Sequence, residues 1–447
     1  MEALPDYLIL DPKVDRLPAP RLRELQSERL RAMVHYCYAN TPFWRRKFDE
    51  IGLSPRDIRS IEDLPRVPFC TKGELQADQQ AHPPFGSYVA TPRTRWARYA
   101  ATSGTTGVPL KRVLSARDFR LCIDRFRRNP TAGPGDIAVV LGPVDALIGP
   151  MVSSESLAAM GVLVVQAGLY DTRTKIRLIR DLKPTSVSGT TSYLVHMLEV
   201  AAEIGVDLAS LGIRSLSAIG EPGVAYGETR DRLMRGWNVQ RVADGYGMTE
   251  IFPLGGNCPH SSALHIASDI VATEIVDPES GKPLPPGEAG ELVITNLIGD
   301  TQPLLRYRSR DISRLATTAA CACGFTGARL EGSILGRVDD MIWLRGANVF
   351  PSAVEAVVRS FPELSPEYQI EISGESALAT MTVRAEALRA DLPASEVGAL
   401  QERLAAQLRE SIRVTAAVEI VAPGSLPRPD GRKKMRRVID KRRGATA

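Results

Sequence analysis

Hydroxyl and glycine residues are concentrated between Tyr99 and Lys111, where the chain reads Tyr-Ala-Ala-Thr-Ser-Gly-Thr-Thr-Gly-Val-Pro-Leu-Lys. Glycine allows backbone N–H groups to turn towards one point, and hydroxyl groups add donors, so such a segment suits phosphate oxygens. The residues concerned are Thr102, Ser103, Gly104, Thr105, Thr106 and Gly107. The Gly-Lys-Ser/Thr ending of a Walker loop is missing. Phosphate binding and a Ser/Thr/Gly-rich surface turn are both open at this point.

Four further segments place polar residues at the ends of short apolar runs or at the joints between them. These are residues 218–222 (Ala-Ile-Gly-Glu-Pro), 243–250 (Ala-Asp-Gly-Tyr-Gly-Met-Thr-Glu), 304–311 (Leu-Leu-Arg-Tyr-Arg-Ser-Arg-Asp) and 336–346 (Gly-Arg-Val-Asp-Asp-Met-Ile-Trp-Leu-Arg-Gly). Ligands of α/β proteins gather at the carboxyl ends of parallel strands. The first two segments are therefore candidates for a binding site.

Short apolar or β-branched runs alternate with helical patterns from residue 137 onward. Strands are predicted over residues 137–141, 162–166, 186–189 and 215–219, and helices over 172–182 and 192–204. This alternation predicts an α/β fold with a mainly parallel sheet covered by helices. One helix is also predicted from about residue 21 to residue 48, because apolar residues recur there at helical spacing.

The pattern changes near Asp339. Beyond it, helices are predicted over residues 351–361 and 395–412, and strands over 368–372, 380–384 and 416–421. These elements form an α+β unit of normal domain size. We therefore expect two domains, residues 1–338 and residues 339–447.

Composition limits the function classes. The chain has 447 residues, of which 44% are hydrophobic and 24% charged, with a formal net charge of +4, as in ordinary globular proteins. The basic residues near the C-terminus are typical of a solvated surface, and no nucleic-acid partner is expected. The six cysteines are too few for a disulfide scaffold, no apolar run has the length of a membrane span, and the N-terminus lacks a signal-peptide pattern. We expect a cytoplasmic protein without a membrane partner.

Several segments in a fixed order carry a family resemblance. They are residues 40–47, 64–72, 103–107, 245–250, 306–311, 336–340 and 424–428. With them the chain resembles the phenylacetate–CoA ligases, a branch of the adenylate-forming (acyl-CoA synthetase) superfamily, over nearly its whole length. The resemblance implies a large N-terminal α/β domain that binds ATP and the acid, and a small mobile C-terminal α+β domain.

The resemblance also implies an activity, the formation of a coenzyme A thioester in two steps. A carboxylate first attacks the α-phosphate of ATP and expels pyrophosphate, which leaves an acyl-AMP. The thiol of coenzyme A then takes the acyl group. The protein must position two anions and offset their charge.

The phosphates and the metal ion of ATP have expected partners by this resemblance. The segment from Ser103 to Gly107 would hold the β- and γ-phosphates, and Thr249 the α-phosphate. Glu250 suits Mg²⁺, which prefers hard oxygen ligands.

The nucleoside part of ATP is assigned in the same way. Tyr246 would stack on adenine and Asp311 would accept hydrogen bonds from the ribose hydroxyls. Arg337 would lie near the same nucleotide, although Asp311 and Arg337 could instead form a surface ion pair. The opposite face of adenine would be lined by Gly220, Glu221 and Pro222.

Lys434 is the expected catalytic lysine of the mobile domain, and its neighbour Lys433 is the alternative. A lysine stem can reach across a domain interface and place a charge beside the carboxylate and the α-phosphate. The family rotates its small domain between the two steps, and Asp339 is the expected hinge.

Some phenylacetate-ligase-like proteins hold zinc with three cysteines and a histidine. The matching residues are Cys258, His265, Cys321 and Cys323, and His260 is a rival for the histidine position. Such a donor set suits a closed structural Zn²⁺ site without a catalytic role. Unligated cysteines in a loop are the alternative, and Cys37, Cys70 and Cys122 are expected in the core.

The acid-binding region departs from the family. Relatives that use phenylacetate have a Tyr/Phe- and Gly-rich segment where this chain has Leu-Gly-Pro-Val-Asp-Ala-Leu-Ile-Gly-Pro at residues 141–150. Val144, Leu147 and Ile148 are expected to line an apolar pocket, and Asp145 to hydrogen-bond an amino or hydroxyl substituent of the acid, unless it is a turn residue. Lys111, displaced by Leu110 from its position in wider relatives, is an uncertain phosphate contact.

The favoured function is an aryl-carboxylate–CoA ligase acting on a phenylacetate, benzoate or anthranilate type of acid. The alternatives are an adenylate-forming ligase that passes the acyl group to a carrier protein or to the amine or hydroxyl of another small molecule, and a non-catalytic nucleotide-binding protein. We expect the protein to form a homodimer.

Overall fold

A computed structural model describes most of the chain. The residues that it describes are 11, 13–102, 108–145, 147–221, 224, 227–251, 253–318, 320–338, 342–344, 347–374, 380–428 and 437–441. Their α-helices are Ala19–Asn40 (α1), Pro42–Glu50 (α2), Lys72–Ala81 (α3), Ala116–Phe126 (α4), Ile148–Ala158 (α5), Thr172–Leu182 (α6), Thr191–Glu203 (α7), Glu228–Trp237 (α8), Pro351–Arg359 (α9) and Ala394–Ile412 (α10).

The strands of the first domain and of the region after it follow in the same order. They are Trp96–Ala101 (β1), Lys111–Ser115 (β2), Ile137–Val140 (β3), Leu163–Gln166 (β4), Ser186–Gly189 (β5), Ser215–Ile219 (β6), Arg241–Tyr246 (β7), Gly255–Cys258 (β8), Ser261–Ile266 (β9), Val271–Val276 (β10), Gly290–Asn296 (β11), Tyr307–Ser313 (β12), Arg329–Leu330 (β13), Gly336–Arg337 (β14), Ile342–Leu344 (β15), Ala347–Val349 (β16), Leu364–Ser373 (β17), Thr380–Ala387 (β18), Ala417–Val421 (β19) and Val438–Asp440 (β20).

The N-terminal helical region is two helices, so the prediction of one helix over residues 21–48 is wrong. Helix α1 ends at Asn40 and α2 begins at Pro42, with Thr41 in an extended conformation between them. Proline has no N–H to continue the first helix, and the Thr41 hydroxyl accepts a hydrogen bond from the N–H of Trp44 at 3.4 Å. Helical spacing of apolar residues continues across the break, which is why periodicity alone did not reveal it.

The largest sheet has eight strands in the order β13-β9-β8-β7-β6-β5-β3-β4. Strands β3 to β7 are parallel, which confirms the predicted parallel sheet, and β8, β9 and β13 extend it in antiparallel pairing. Apolar residues of β3, β5, β6 and β7 pack with α6, α7 and α8 in one hydrophobic core. The carboxyl ends of β6 and β7 thus lie side by side.

A second, antiparallel sheet of four strands has the order β10-β11-β12-β14. It shares a core with α1, α2 and α3, and the indole N–H of Trp44 donates to the Pro303 carbonyl at 3.0 Å. Cys70, which precedes α3, exchanges backbone hydrogen bonds with Arg306 and Arg308 at the start of β12. This contact fixes the N-terminal end of α3 beside β12.

The C-terminal elements form a separate core. Strands β19, β18, β17 and β20 form a four-stranded sheet, and α9 and α10 contribute apolar residues to the core on it. The two parts meet where α9 contacts α8, and Arg359 Nη1 donates to Thr229 Oγ1 at 3.0 Å. Across the described parts of the chain, every helix is too short or too polar to cross a lipid bilayer.

Candidate active site

The ends of β6 and β7 carry two of the segments that the sequence singled out. Ile219 pairs with Gly245, so Gly220, which follows β6, lies beside Tyr246, the last residue of β7. Gly220 has φ +92°, a conformation that favours glycine. Glu221 accepts hydrogen bonds from the N–H of Ser192 at 2.9 Å and caps the start of α7. Pro222, the last residue of this segment, lies outside the described residues.

Three predicted nucleotide-binding residues are in contact. The Tyr246 hydroxyl donates to Asp311 Oδ2 at 2.6 Å, and Arg337 Nη1 donates to Asp311 Oδ1 at 3.3 Å. Asp311 and Arg337 are also paired across β12 and β14. Burial and then the charge of Asp311 raise the pKa of Tyr246 well above its usual range, so the hydroxyl keeps its proton and donates.

Glu250 lies close to this cluster in the chain and in space. Its carboxylate is 8% exposed and accepts a hydrogen bond from the Tyr307 hydroxyl at 3.1 Å. The ammonium group of Lys72, the first residue of α3, is 3.7 Å from Glu250 Oε1. The carbonyl of Thr249 accepts a hydrogen bond from Arg112 Nη1 at 2.7 Å, which connects this segment to β2. A buried carboxylate with a cation beside it suits the binding of a magnesium–phosphate group.

Lys72 is a residue that our sequence reasoning missed as a site residue. It is the last residue of the 64–72 segment, which served only to support the resemblance. Its position beside Glu250 follows from the pairing of Cys70 with Tyr307, which joins residues more than two hundred positions apart. No local pattern shows such a contact.

Asp244 was missed as well. It lies two residues before Tyr246 on the same face of β7 and is 4% exposed. Its Oδ2 atom has no hydrogen-bond partner among the described residues. Burial raises the pKa of this carboxyl to about 6, while a hydrogen bond from Ser333 and the charge of Arg230 act in the opposite direction.

The residues Ser103, Gly104, Thr105, Thr106 and Gly107 lie outside the described part of the chain. The backbone on either side of them is fixed, because Thr102 N–H donates to the Leu110 carbonyl at 3.0 Å and Leu110 N–H donates to Thr102 Oγ1 at 3.0 Å. Strands β1 and β2 continue this pairing. Thr102 and Leu110, on the two sides of the segment, are therefore hydrogen-bonded to each other, and Lys111 directly follows Leu110.

The expected acid-binding segment is partly exposed. Val144 and Asp145 are exposed and Leu147 is half-buried, whereas Ile148 is buried in a cluster with Phe119 and Val152. Asp145 Oδ1 accepts a hydrogen bond from the Leu147 N–H at 2.9 Å. This is the geometry of a turn that leads into α5.

Four predicted metal ligands converge. The ligand atoms of Cys258, His265, Cys321 and Cys323 all lie within 4.8 Å of one another. The sulfur atoms of Cys258 and Cys321 are 3.7 Å apart, and Cys323 Sγ is 4.0 Å from His265 Nδ1. The rival His260 is exposed and is not part of this cluster.

The position and charge state of the His265 imidazole suit a metal ligand. It stacks on Phe325 with a centroid distance of 4.4 Å, and burial lowers its pKa to about 4, so the ring is neutral at pH 7. Three thiol groups and one neutral imidazole are the donor set of a tetrahedral zinc site. The other three cysteines, Cys37, Cys70 and Cys122, are buried, as expected.

Lys433, Lys434 and the expected hinge Asp339 lie outside the described residues. The chain on either side of the two lysines is anchored by buried glutamates of the C-terminal sheet. Glu386 accepts a hydrogen bond from the Leu426 N–H at 3.0 Å and pairs with Arg428, and Glu367 pairs with Arg437.

Two family models cover most of the chain. The model described as AMP-binding enzyme matches residues 18–297, and the model described as AMP-binding enzyme C-terminal domain matches residues 346–442. The chain belongs to the AMP-binding, adenylate-forming enzymes. Its full-length relatives place it with the phenylacetate–CoA ligase branch of that family. One of them, the phenylacetate–coenzyme A ligase of Thermus thermophilus, is 35% identical over 98% of this chain and 100% of its own length.

Solved structures of AMP-forming ligases show the same architecture. 2-Hydroxyisobutyryl-CoA ligase in its postadenylation state with R3-HIB-AMP is 29% identical, with a TM-score of 0.90 over 96% of this chain and 92% of that chain. The same ligase with 2-HIB-AMP and CoA in the thioesterification state is 30% identical, with a TM-score of 0.71 over 96% of this chain and 91% of that chain. The present arrangement of the chain is thus closer to the postadenylation structure.

Proposed function

We propose that this protein is an AMP-forming acid–thiol ligase, which activates an aryl carboxylic acid with ATP and then forms its coenzyme A thioester. The observation that carries the proposal is the Tyr246–Asp311–Arg337 cluster beside Glu250. It combines an acceptor for ribose hydroxyls with a carboxylate for a metal-bound phosphate where the end of β7 in the large sheet meets β12 and β14 of the second sheet.

The nucleoside would occupy the ends of β6 and β7. Asp311 would accept the ribose hydroxyls, while the Tyr246 hydroxyl and Arg337 hold its carboxylate in place. The Tyr246 ring and the backbone at Gly220 to Pro222 would enclose the base. The carboxylate of Asp244 would accept a hydrogen bond from the amino group of adenine, since a buried acceptor favours a donor.

In the first step the protein would contribute mainly by neutralising negative charge, and it would form no covalent bond to the substrates. A carboxylate oxygen of the acid attacks the α-phosphorus, the bond to the bridging oxygen breaks, and pyrophosphate leaves with the electron pair. Glu250 is the carboxylate that would hold Mg²⁺, and the ion would supply positive charge to offset that of the phosphates. Lys72 from α3 and Lys434 from the C-terminal domain would add positive charge from two sides. Thr249 would hold the α-phosphate, and residues 103–107 the leaving pyrophosphate.

In the second step the sulfur of coenzyme A attacks the acyl carbon and AMP leaves. The proposed domains, residues 1–338 and 339–447, would rotate about Asp339 between the steps. The Arg359–Thr229 contact belongs to the present arrangement, and the lower similarity to the thioesterification structure supports such a rotation.

The acid itself is the finer part of the proposal. Val144, Leu147 and Ile148 are proposed to line its pocket, and Asp145 to meet a substituent on the ring. Because Asp145 already accepts the Leu147 N–H, its second oxygen would have to serve the substrate.

A structural Zn²⁺ is proposed for Cys258, His265, Cys321 and Cys323. Bound there, the ion would join β8 and β9 to the loop before β13, without touching the reacting atoms.

The decisive experiment is ATP–pyrophosphate exchange with a panel of acids, followed by addition of coenzyme A. Phenylacetate, benzoate, anthranilate and 2-hydroxyisobutyrate form the panel, and the thioester is identified by mass. Exchange with an aromatic acid and thioester formation support the proposal. Exchange without thioester would favour transfer to a carrier protein or another small molecule, and no exchange with any acid would refute an adenylating enzyme.

A further inference from the structure

Strand β2 has one edge that is covered by side chains instead of by another strand. Among the residues that the structure describes, it pairs with β1 alone, in a two-stranded sheet. Buried backbone groups along the other edge need partners. The partners are the side chains of Gln79 at Lys111, Gln302 at Val113 and Thr301 at Ser115.

Gln79 binds both backbone groups of Lys111. Its Oε1 accepts from the Lys111 N–H at 3.1 Å, and its Nε2 donates to the Lys111 carbonyl at 2.6 Å. The same Nε2 also donates to the Tyr88 hydroxyl at 2.6 Å, and the side chain is 8% exposed. Because Leu110 already bonds towards Thr102, the alternation of an antiparallel pair turns Lys111 to the outer edge. Gln79 therefore takes the place of a third strand at that residue.

Gln76 forms a similar hydrogen bond to Val108, three residues before Lys111. Its Nε2 donates to the Val108 carbonyl at 2.5 Å. Gln76 and Gln79 lie on one face of α3, since residues three apart on a helix are neighbours. The helix is itself fixed by a capping box at Thr71 and by the fully buried Leu75. One rigid helix thus holds both ends of the Val108–Lys111 segment.

We propose that Gln79, assisted by Gln76, is a positioning residue for the triphosphate of ATP. The inference rests on the proposed function, which places the β- and γ-phosphate contacts in residues 103–107, directly before Val108. The two glutamines fix the residues that directly follow that segment, from Val108 to Lys111, to the helix that also carries Lys72. Losing a hydrogen bond to a charged phosphate weakens binding by about 10- to 100-fold.

The test compares Gln79→Met with the matched control Gln302→Met. Gln302 is a buried glutamine that accepts the Val113 N–H at 2.9 Å on the same edge of β2, two residues farther from Val108. Each variant leaves one strand N–H without its acceptor and one backbone carbonyl without its donor, that of Lys111 for Gln79→Met and that of Phe85 for Gln302→Met. Both should therefore lower the melting temperature, Gln79→Met somewhat more because it also loses the hydrogen bond to Tyr88. ATP–pyrophosphate exchange gives KM for ATP and for the acid separately, and calorimetry gives Kd for MgATP.

For Gln79→Met we expect KM and Kd for ATP to rise by about 10- to 100-fold, with KM for the acid within about 3-fold of the wild type. For Gln302→Met we expect both constants within about 3-fold. If Gln79→Met matches Gln302→Met, the inference is overturned while the proposed function stands. If Gln79→Met does not fold, the variant Gln76→Ala, at a half-buried residue of the same helix, decides: an unchanged KM for ATP overturns the inference, and a rise of about 3-fold or more supports it. A wild-type protein that neither binds ATP nor exchanges pyrophosphate overturns both proposals.

Discussion

Replacing Asp311 by asparagine tests the nucleotide site directly. The carboxylate receives the Tyr246 hydroxyl at 2.6 Å on one oxygen and Arg337 at 3.3 Å on the other. Each carboxylate oxygen can accept more than one hydrogen bond, so two ribose hydroxyls can be added to these contacts. Asparagine keeps the shape but turns one acceptor into a donor and removes the charge.

The expected loss follows from the strength of charged hydrogen bonds. A hydrogen bond to a charged group contributes about 1.5–3 kcal/mol and a neutral one about 0.5–1.5 kcal/mol, so two bonds lose about 2–3 kcal/mol together. We therefore expect Kd for ATP to rise by about 30- to 150-fold in Asp311→Asn. The side chain of Arg337 is 44% exposed, so its ion pair with Asp311 adds little to this figure.

Calorimetry with ATP and with 2′-deoxy-ATP separates a loss of ribose recognition from a non-specific structural effect of the substitution. The wild type should bind 2′-deoxy-ATP about 10-fold more weakly than ATP, and Asp311→Asn should bind the two within about 3-fold. The control Asp269→Asn breaks a buried pair with Arg128, at 2.7 Å, away from the site and should keep the wild-type preference. An Asp311→Asn protein that still prefers ATP by about 10-fold would show that this carboxylate does not bind the ribose.

Four other predictions concern the proposed catalytic lysine, Lys72, the metal site and Asp244. Lys434→Ala should lower pyrophosphate exchange by about 10²–10³-fold and Lys433→Ala by less than about 5-fold, and the reverse order would move the assignment to Lys433. Lys72→Met should lower the exchange kcat by about 10–100-fold, and an unchanged kcat would restrict Lys72 to a structural ion pair. Purified protein should contain one zinc per chain by metal analysis and Cys321→Ser much less, whereas zinc-free wild type would remove the site. The Asp244 carboxyl holds its proton to about pH 6 in the folded state, so its contribution to stability is present at pH 4 and lost as the pH rises through 6. The free energy of unfolding of wild type relative to Asp244→Asn should fall by about 2 kcal/mol between pH 4 and pH 7 in denaturant titrations, and a constant difference would contradict the raised pKa.

Local chemistry was enough to predict much of the fold. The parallel strands before residue 220 were predicted within one or two residues, because buried parallel strands are short apolar runs between amphipathic helices. The helix break at Thr41–Pro42 was missed, since the apolar spacing continues through it. Strands β8 to β10 were also missed, because their residues are buried on both faces or mixed and show little alternation.

Only part of the candidate site could be predicted, namely the residues that lie in recognisable sequence segments. Tyr246, Asp311 and Arg337 were identified from their segments, and the structure brings them into contact. Lys72 and Gln79 carry no motif and matter only through the tertiary contacts of α3.

The sequence by itself determined which chemical groups this protein has and in which order they occur: a hydroxyl- and glycine-rich segment, acidic and aromatic residues after strands, and three cysteines with a histidine. The tertiary structure alone decided which of them meet. Hydrogen bonds and ion pairs act over a few ångströms, and residues more than sixty positions apart reach that range only when sheets and helices have packed. Periodicity and composition describe neighbours along the chain, and so they could not place Lys72 beside Glu250 or choose His265 over His260.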